Sequence, residues 1–426
     1  MQSTSGPVQH TLDNGLTIIA EQMPVDAVNF SLWIRAGSAS ERDEHNGIAH
    51  FLEHMVFKGS ERLRPGDFER LVEQRGGTMN AVTSQDYTCF YHTVAPQDFA
   101  ETVPAQIDLV LNAQIPKDEY ERERQVVLEE IRRAEDNPRH RIFSQTMETA
   151  FTTLPYRRPI LGPSSIIERL PNHAMVEHHR TYYQPRNMTA VVVGNRPVDQ
   201  IIETVEAGFA AFLAVDFNQN GRDGLPELET NSTRQEPRFT SASDITVEDA
   251  RLTQARLVLL WHVPGVNQVT QTYPFDLIAK VLSHGRNSKL VRELREQKGL
   301  VSSVSASNFT LAQHGLFWIA AQLPPDNIDQ VKDIILQHVH DLHTTLVDGD
   351  RLAQLQRQMA NQFIFENEAP SSRAGLYGYH DAIAHNLTAG LEYPQRIRQI
   401  TLLDLQNAAQ QYLRLDNYRC LRFTPA

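Results

Sequence analysis

Apolar side chains fall on every second residue at Val28, Phe30, Leu32 and Ile34, the period of a strand with one face buried. From 47 to 58 the period lengthens to that of a helix, and Asp67 stands where a second helix would be capped before it stops at Gly76. Thr88–Val94 reads as another strand, rich in β-branched and aromatic residues. Residues 121–131 carry a helical pattern with Val126, Val127 and Ile131 inward, which sets Glu123 and Glu130 two turns apart on one face. This irregular alternation predicts an α+β fold, with helices packed on one side of a mostly antiparallel sheet.

From Ala214 to about Thr240 the periodicity gives way to Asn, Gly, Pro and charge, which reads as a linker over 216–240. Its flanks look alike. The stretch LVEQRG at 71–76 matches LREQKG at 294–299, and at the same offset of 223 residues Ser84 falls on Ser307. A repeat this long predicts duplicated domains, since solenoid periods are far shorter. The chain thus divides into an N-terminal domain over 1–215 and a homologous one over 241–426. Its 426 residues are too many for one ordinary core, which agrees.

A formal net charge of -12 argues against a nucleic-acid partner, which would need a basic patch. With Cys89 and Cys420 alone there is no disulfide framework, and no apolar run has the length to cross a bilayer. The opening MQSTSG lacks the charged and apolar regions of a signal peptide. A soluble protein is expected, either cytoplasmic or a periplasmic mature form whose signal was removed and replaced by Met.

The chemistry concentrates in HFLEH at 50–54. On a helix, positions i, i+3 and i+4 share a face, so His50 and His54 can reach one metal ion with Glu53 beside it. The pattern HxxEH reverses the commoner HExxH and is the inverzincin signature. A solvated amphipathic helix can carry the same letters. Catalytic zinc takes three protein ligands and keeps a position for water, and the helix over 121–131 offers Glu123 and Glu130 as candidates for the third.

Taken together, these residues make the chain resemble the pitrilysin-like (M16, inverzincin) zinc peptidases, which include insulin-degrading enzymes and the mitochondrial processing peptidase. Glu130 stands 76 residues after His54 with Glu123 seven before it, as in the family's ExxxxxxE helix. The opening strand around 11–16, GGTMNA at 76–81, and PRNM with VVVG at 185–194 also look like family segments. The resemblance implies one Zn2+ per chain on His50, His54 and Glu130, with Glu53 as catalytic base and Glu123 as the acid behind a ligand. It also implies peptide substrates laid as strands along Asn80 and Ala81, and a LuxS/MPP-like metallohydrolase fold of two homologous α+β domains.

Carrying the repeat offset back puts Tyr273, Asp276 and Leu277 opposite His50, Glu53 and His54, so the second half cannot assemble the same site. Its His262, His284, His314, His338, His340 and His343 have no comparable spacing. In the family this half commonly supplies an Arg and, seven residues later, a Tyr that hold the substrate. Here Arg295 is kept but Ser302 stands where Tyr is expected. The resemblance is therefore to the zinc-bearing subunit of a bacterial two-subunit peptidase, or to the beta subunit of the processing peptidase, with a homologous partner supplying the Arg/Tyr pair. Alternatively, Ser302 packs a strand and another group does that work. Two other roles stay open: a non-catalytic core subunit of a processing or respiratory complex, and a peptidase dedicated to one targeting sequence. No nucleotide-binding or acyl-enzyme motif is present.

Overall fold

The computed structural model describes residues 6–213 and 235–426. The linker expected at 216–240 falls largely outside the described residues. Two compact units form, one from the described residues within 1–134, 158–233 and 366–387, the other from those within 135–157, 234–365 and 388–426.

The first unit holds a six-stranded sheet: β1 (Val8–Thr11), β2 (Thr17–Gln22), β3 (Val28–Ile34), β4 (Thr78–Thr83), β5 (Thr88–Val94) and β6 (Met188–Gly194). Its order is β1-β2-β6-β3-β5-β4, antiparallel except where β2 runs parallel to β6. The second unit holds β7 (Ser243–Glu248), β8 (Ala255–Pro264), β9 (Ser303–Thr310), β10 (His314–Leu323) and β11 (Arg419–Thr424). They run β7-β11-β8-β10-β9, with β7 and β11 the parallel pair. With β1 set aside, both sheets place their strands in the order first, last, second, fourth, third. The duplication legible in one short segment extends to the whole topology.

One face of the first sheet shares a core with its helices. Phe30, Leu32 and Phe90 from the strands meet Phe51, Val103, Ile107, Tyr120 and Val205 from helices, all essentially buried. The opposite face is covered too, which the one-sided expectation missed. Helix Pro370–Ala382 lies against β3 and β6, so closely that a Cβ on Gly378 would come within 2.1 Å of Trp33 Nε1. All seven residues of β3 are buried as a result, not just the alternating four. Polar groups caught in this layer are paired: Glu21 accepts from Arg373 Nη1 at 2.8 Å and from Tyr377 OH at 2.7 Å, and Thr189 Oγ1 donates to Asp381 Oδ2 at 2.7 Å. In the second unit helix Pro138–Ala150 plays the same part against β8 and β11, with the Phe143 ring edge-on to Phe309 and Trp318. Each covering helix comes from the other half of the sequence.

Two local expectations also change. Helix Lys117–Asp136 buries Tyr120, Glu123, Arg124, Val127, Leu128 and Ile131, the i, i+3, i+4 row that faces the core, so Val126 points outward and is 45% exposed. Asp67 is the first residue of helix Asp67–Glu73 and not its cap; Gly66 holds the N-cap position, while Asp67 Oδ2 accepts from Arg64 N at 2.8 Å.

Candidate active site

Helix Ile48–Val56 presents one narrow polar face. Ile48, Ala49, Phe51, Leu52, Met55 and Val56 are buried, and only His50, Glu53 and His54 escape full burial. A helix this apolar is fixed by its core contacts, so those contacts also fix where the three polar side chains point. The rings of His50 and His54 stand 4.8 Å apart between centroids.

Helix Lys117–Asp136 is locked beside it. The Tyr120 ring stacks on Phe51 at 4.7 Å, its hydroxyl donates to Leu170 O at 2.8 Å, and Arg124 donates to the carbonyls of Ile167, Glu168 and Leu170. That clamp brings Glu130 Oε2 to 3.6 Å from His50 Nε2 and 3.4 Å from His54 Nε2. Among the described residues, His50, His54 and Glu130 are the one group of three or more possible ligands that could hold a metal, all within 4.8 Å of one another. Ligands held at roughly 2.0–2.1 Å around a tetrahedral ion stand about 3.3–3.5 Å apart, so the set fits zinc in both donor chemistry and spacing.

Around this group the hydrogen bonds are directional. His54 Nδ1 meets Glu123 Oε1 at 2.9 Å, and Lys58 Nζ lies 2.6 Å from Glu123 Oε2. A carboxylate can only accept, so Nδ1 carries the proton and the Nε2 lone pair of His54 faces Glu130. Burial works against charge on His54, but the Glu123 hydrogen bond and the charges of Glu130, Glu123 and Glu53 outweigh it, and its pKa rises. His50 has no such partner, and burial followed by the nearby His54 charge pushes it down to about 3. Burial raises Glu123 less than its bonds to His54 and Lys58 lower it, so it stays ionised. Glu53 accepts from Thr83 Oγ1 at 2.5 Å, and burial holds its carboxyl above the ordinary range despite that bond.

Thr83 ends β4, the edge strand whose single strand partner is β5. Met79 and Ala81 pack toward the core on the face that Thr83 shares, while Asn80 is exposed and its Oδ1 accepts from Ala81 N at 2.9 Å. Sequence reasoning passed over Thr83, Lys58 and Arg124. Lys58 had a signal, lying four residues after His54; Thr83 had the strand alternation from Ala81. Arg124 had none, because its partners are backbone carbonyls far along the chain.

Residues 16–164 match the family description Insulinase (Peptidase family M16), and residues 173–359 match that of the Peptidase M16 inactive domain. The chain belongs to the M16 peptidase family. An uncharacterized zinc protease of Mycobacterium leprae is 26% identical over 96% of this chain and 90% of its own. Another, from Streptomyces coelicolor, is 29% identical over 77% of this chain and 71% of its own. A solved protease from Helicobacter pylori has the same fold, with a TM-score of 0.90 at 24% identity across 98% of this chain and 99% of that one.

The half that matches the M16 inactive domain is built differently at the equivalent helix, Val269–Ser283. Tyr273 is buried with its hydroxyl on Ala389 O at 3.2 Å, Leu277 is in the core, and Asp276 accepts from Asn308 Nδ2 at 2.8 Å and Tyr393 OH at 3.2 Å. Arg295 lies in a π-helical turn, Val291–Gln297, and pairs with its neighbour Glu296 at 2.6 Å. Ser302, just before β9, has its Oγ 3.1 Å from Gln322 O and from Gln254 Oε1, two acceptors for its single proton. No helix among the described residues is long and apolar enough to cross a membrane.

Proposed function

We propose that this chain is the zinc-bearing subunit of a two-subunit M16 endopeptidase that hydrolyses extended peptides. The observation that carries this reading is the convergence of Glu130 on the only face of helix Ile48–Val56 left unburied. His50, His54 and Glu130 would hold one zinc ion, and a scaffold subunit would have no need of that set with Glu53 beside it. When bound, zinc supplies Lewis acidity, which acidifies a water molecule and polarises a carbonyl.

The chain's own residues do the rest. Glu53 takes the proton of the attacking water and delivers it to the leaving amine, and burial, which raises its pKa above the ordinary carboxyl range, strengthens it as a proton acceptor. Thr83 steadies that carboxylate, and Glu123, kept ionised by Lys58, holds His54 in the tautomer a ligand needs. An extended peptide added to the free edge of β4, at Asn80 and Ala81, would gain affinity from backbone hydrogen bonds whatever its sequence. Arg295 would hold substrate, and a homologous partner would supply the Arg/Tyr pair that Ser302 interrupts here.

The test is cleavage of a quenched fluorescent peptide library at verified metal content, with and without a homologous M16 subunit that carries Arg and Tyr. Activity appearing only with the partner is the expected result. Strong activity from the chain alone would refute the division of labour while leaving the zinc centre standing, and a single cleavage rule would point to a targeting-sequence peptidase.

A further inference from the structure

The helix that carries both histidines begins without a cap of its own. Its N-cap, Gly47, has φ +98° and offers no side chain. Glycine is required there, because a Cβ would lie 2.6 Å from Leu161 O and 2.8 Å from Gly162 Cα. Yet a helix start exposes backbone N–H groups that need acceptors, normally supplied by the N-cap side chain.

Glu41 supplies them from outside the helix. Its Oε2 accepts from Gly47 N at 2.8 Å, its Oε1 from Ala49 N at 2.9 Å, and Asn46 Nδ2 donates to Oε2 at 2.7 Å. Asn46 also donates to Pro159 O at 2.9 Å, tying the arrangement to a distant loop. The carboxyl is 5% exposed. Burial pushes its pKa up to about 7 in spite of these bonds and of the Arg158 charge. A group so costly to bury as a charge is held where the positive end of a helix best compensates it.

The two histidines differ in how they are held. His54 lies one turn into the helix and is oriented by Glu123. His50 lies in the first turn, beside Ala49, and its buried Nδ1 has no hydrogen-bond partner. Its position therefore follows from the backbone of that turn, and that backbone is pinned by Glu41. We infer that Glu41 is a positioning residue that sets the metal affinity of the site by fixing the first helical turn and, through it, His50. The inference rests on reading His50, His54 and Glu130 as a metal centre.

The experiment loads the full chain with Co2+ and reads its dissociation constant and visible spectrum, in the wild type, in Glu41→Gln and in a control, Glu236→Gln. Glu236 is another carboxylate that accepts backbone N–H groups, from Thr152, Thr153 and Leu154, but it lies in the second unit. Glu41→Gln turns one acceptor into a donor and should weaken Co2+ binding about tenfold, the low end for groups behind a ligand, with shifted bands. Glu236→Gln should lower thermal stability and leave both readouts unchanged. If folded Glu41→Gln binds Co2+ like the wild type with the same spectrum, the inference is wrong. If the wild type itself binds none, the metal centre is at fault instead. Should Glu41→Gln not fold, Glu41→Asp, which keeps the charge and shortens its reach, decides by the same two readouts.

Discussion

Helices Ile48–Val56 and Val269–Ser283 hold equivalent places in two sheets that share a five-strand topology once β1 is set aside, each following the second of those five strands. In the first, positions 50, 53 and 54 escape burial and carry His, Glu and His. In the second, the matching Tyr273 and Leu277 are buried, and Asp276, only partly buried, has its carboxylate engaged by Asn308 and Tyr393. The two copies share one scaffold and differ in the residues at these three positions. What separates a candidate catalytic helix from a structural one is whether a second helix brings a carboxylate to its polar face or a neighbour seals that face over.

The comparison breaks hardest at the ligands. His54→Ala or Glu130→Ala should abolish metal binding and with it all turnover, as atomic absorption on the purified variants would register; full metal content in either would remove it from the ligand set. Next, Glu53→Gln should cut turnover roughly 10³-fold, within the range for loss of a general base, while zinc stays at one equivalent. Retained turnover would take Glu53 out of the proton transfers.

On the sealed side, burial holds Asp276 up at about 6 against an ordinary 3.8, despite its two hydrogen bonds. The folded state therefore binds this proton more tightly than the unfolded chain does. The resulting stability is present below about pH 4 and lost as pH rises through about 6, amounting to roughly 3 kcal/mol for a shift of this size. Asp276→Asn should remove that component, so its melting temperature should fall less than the wild type's between pH 4 and 7. Parallel pH profiles for the two proteins would contradict the assignment. The smallest effect is expected from Lys58→Met: with Glu123 less firmly ionised, metal affinity should drop about tenfold at most, with Glu53 chemistry untouched per bound ion. An unchanged zinc dissociation constant would mean that Lys58 contributes only to surface charge.

Local periodicity made much of this legible. The spacing of 50, 53 and 54, and the separation of seven positions from Glu123 to Glu130, needed only helical geometry, and Val28 to Ile34 needed only alternation. What escaped were contacts made across long stretches of chain. Asn29, Ser31 and Trp33 look like a solvent-facing row because the helix that buries them lies more than 330 residues later. Val126 was misplaced because an apolar residue beside Val127 fits the helical pattern on either side, and only the stack of Phe51 on Tyr120 selects the row that turns inward. Glu41 carried no periodic signal, since it acts through backbone N–H groups whose need for an acceptor arises from a glycine.

The crossed helices set the order in which the molecule can be finished as it is made. A chain emerging from the ribosome completes the strands of the first sheet at Gly194, yet the helix that covers their back face ends only at Ala382. Until then Trp33 and its neighbours lack their cover, so the candidate catalytic unit cannot close before most of its sister has been synthesised. Cutting the gene between residues 213 and 235 would yield two fragments, each missing one layer of its own core, which would have to find each other to exchange helices before either could be sound.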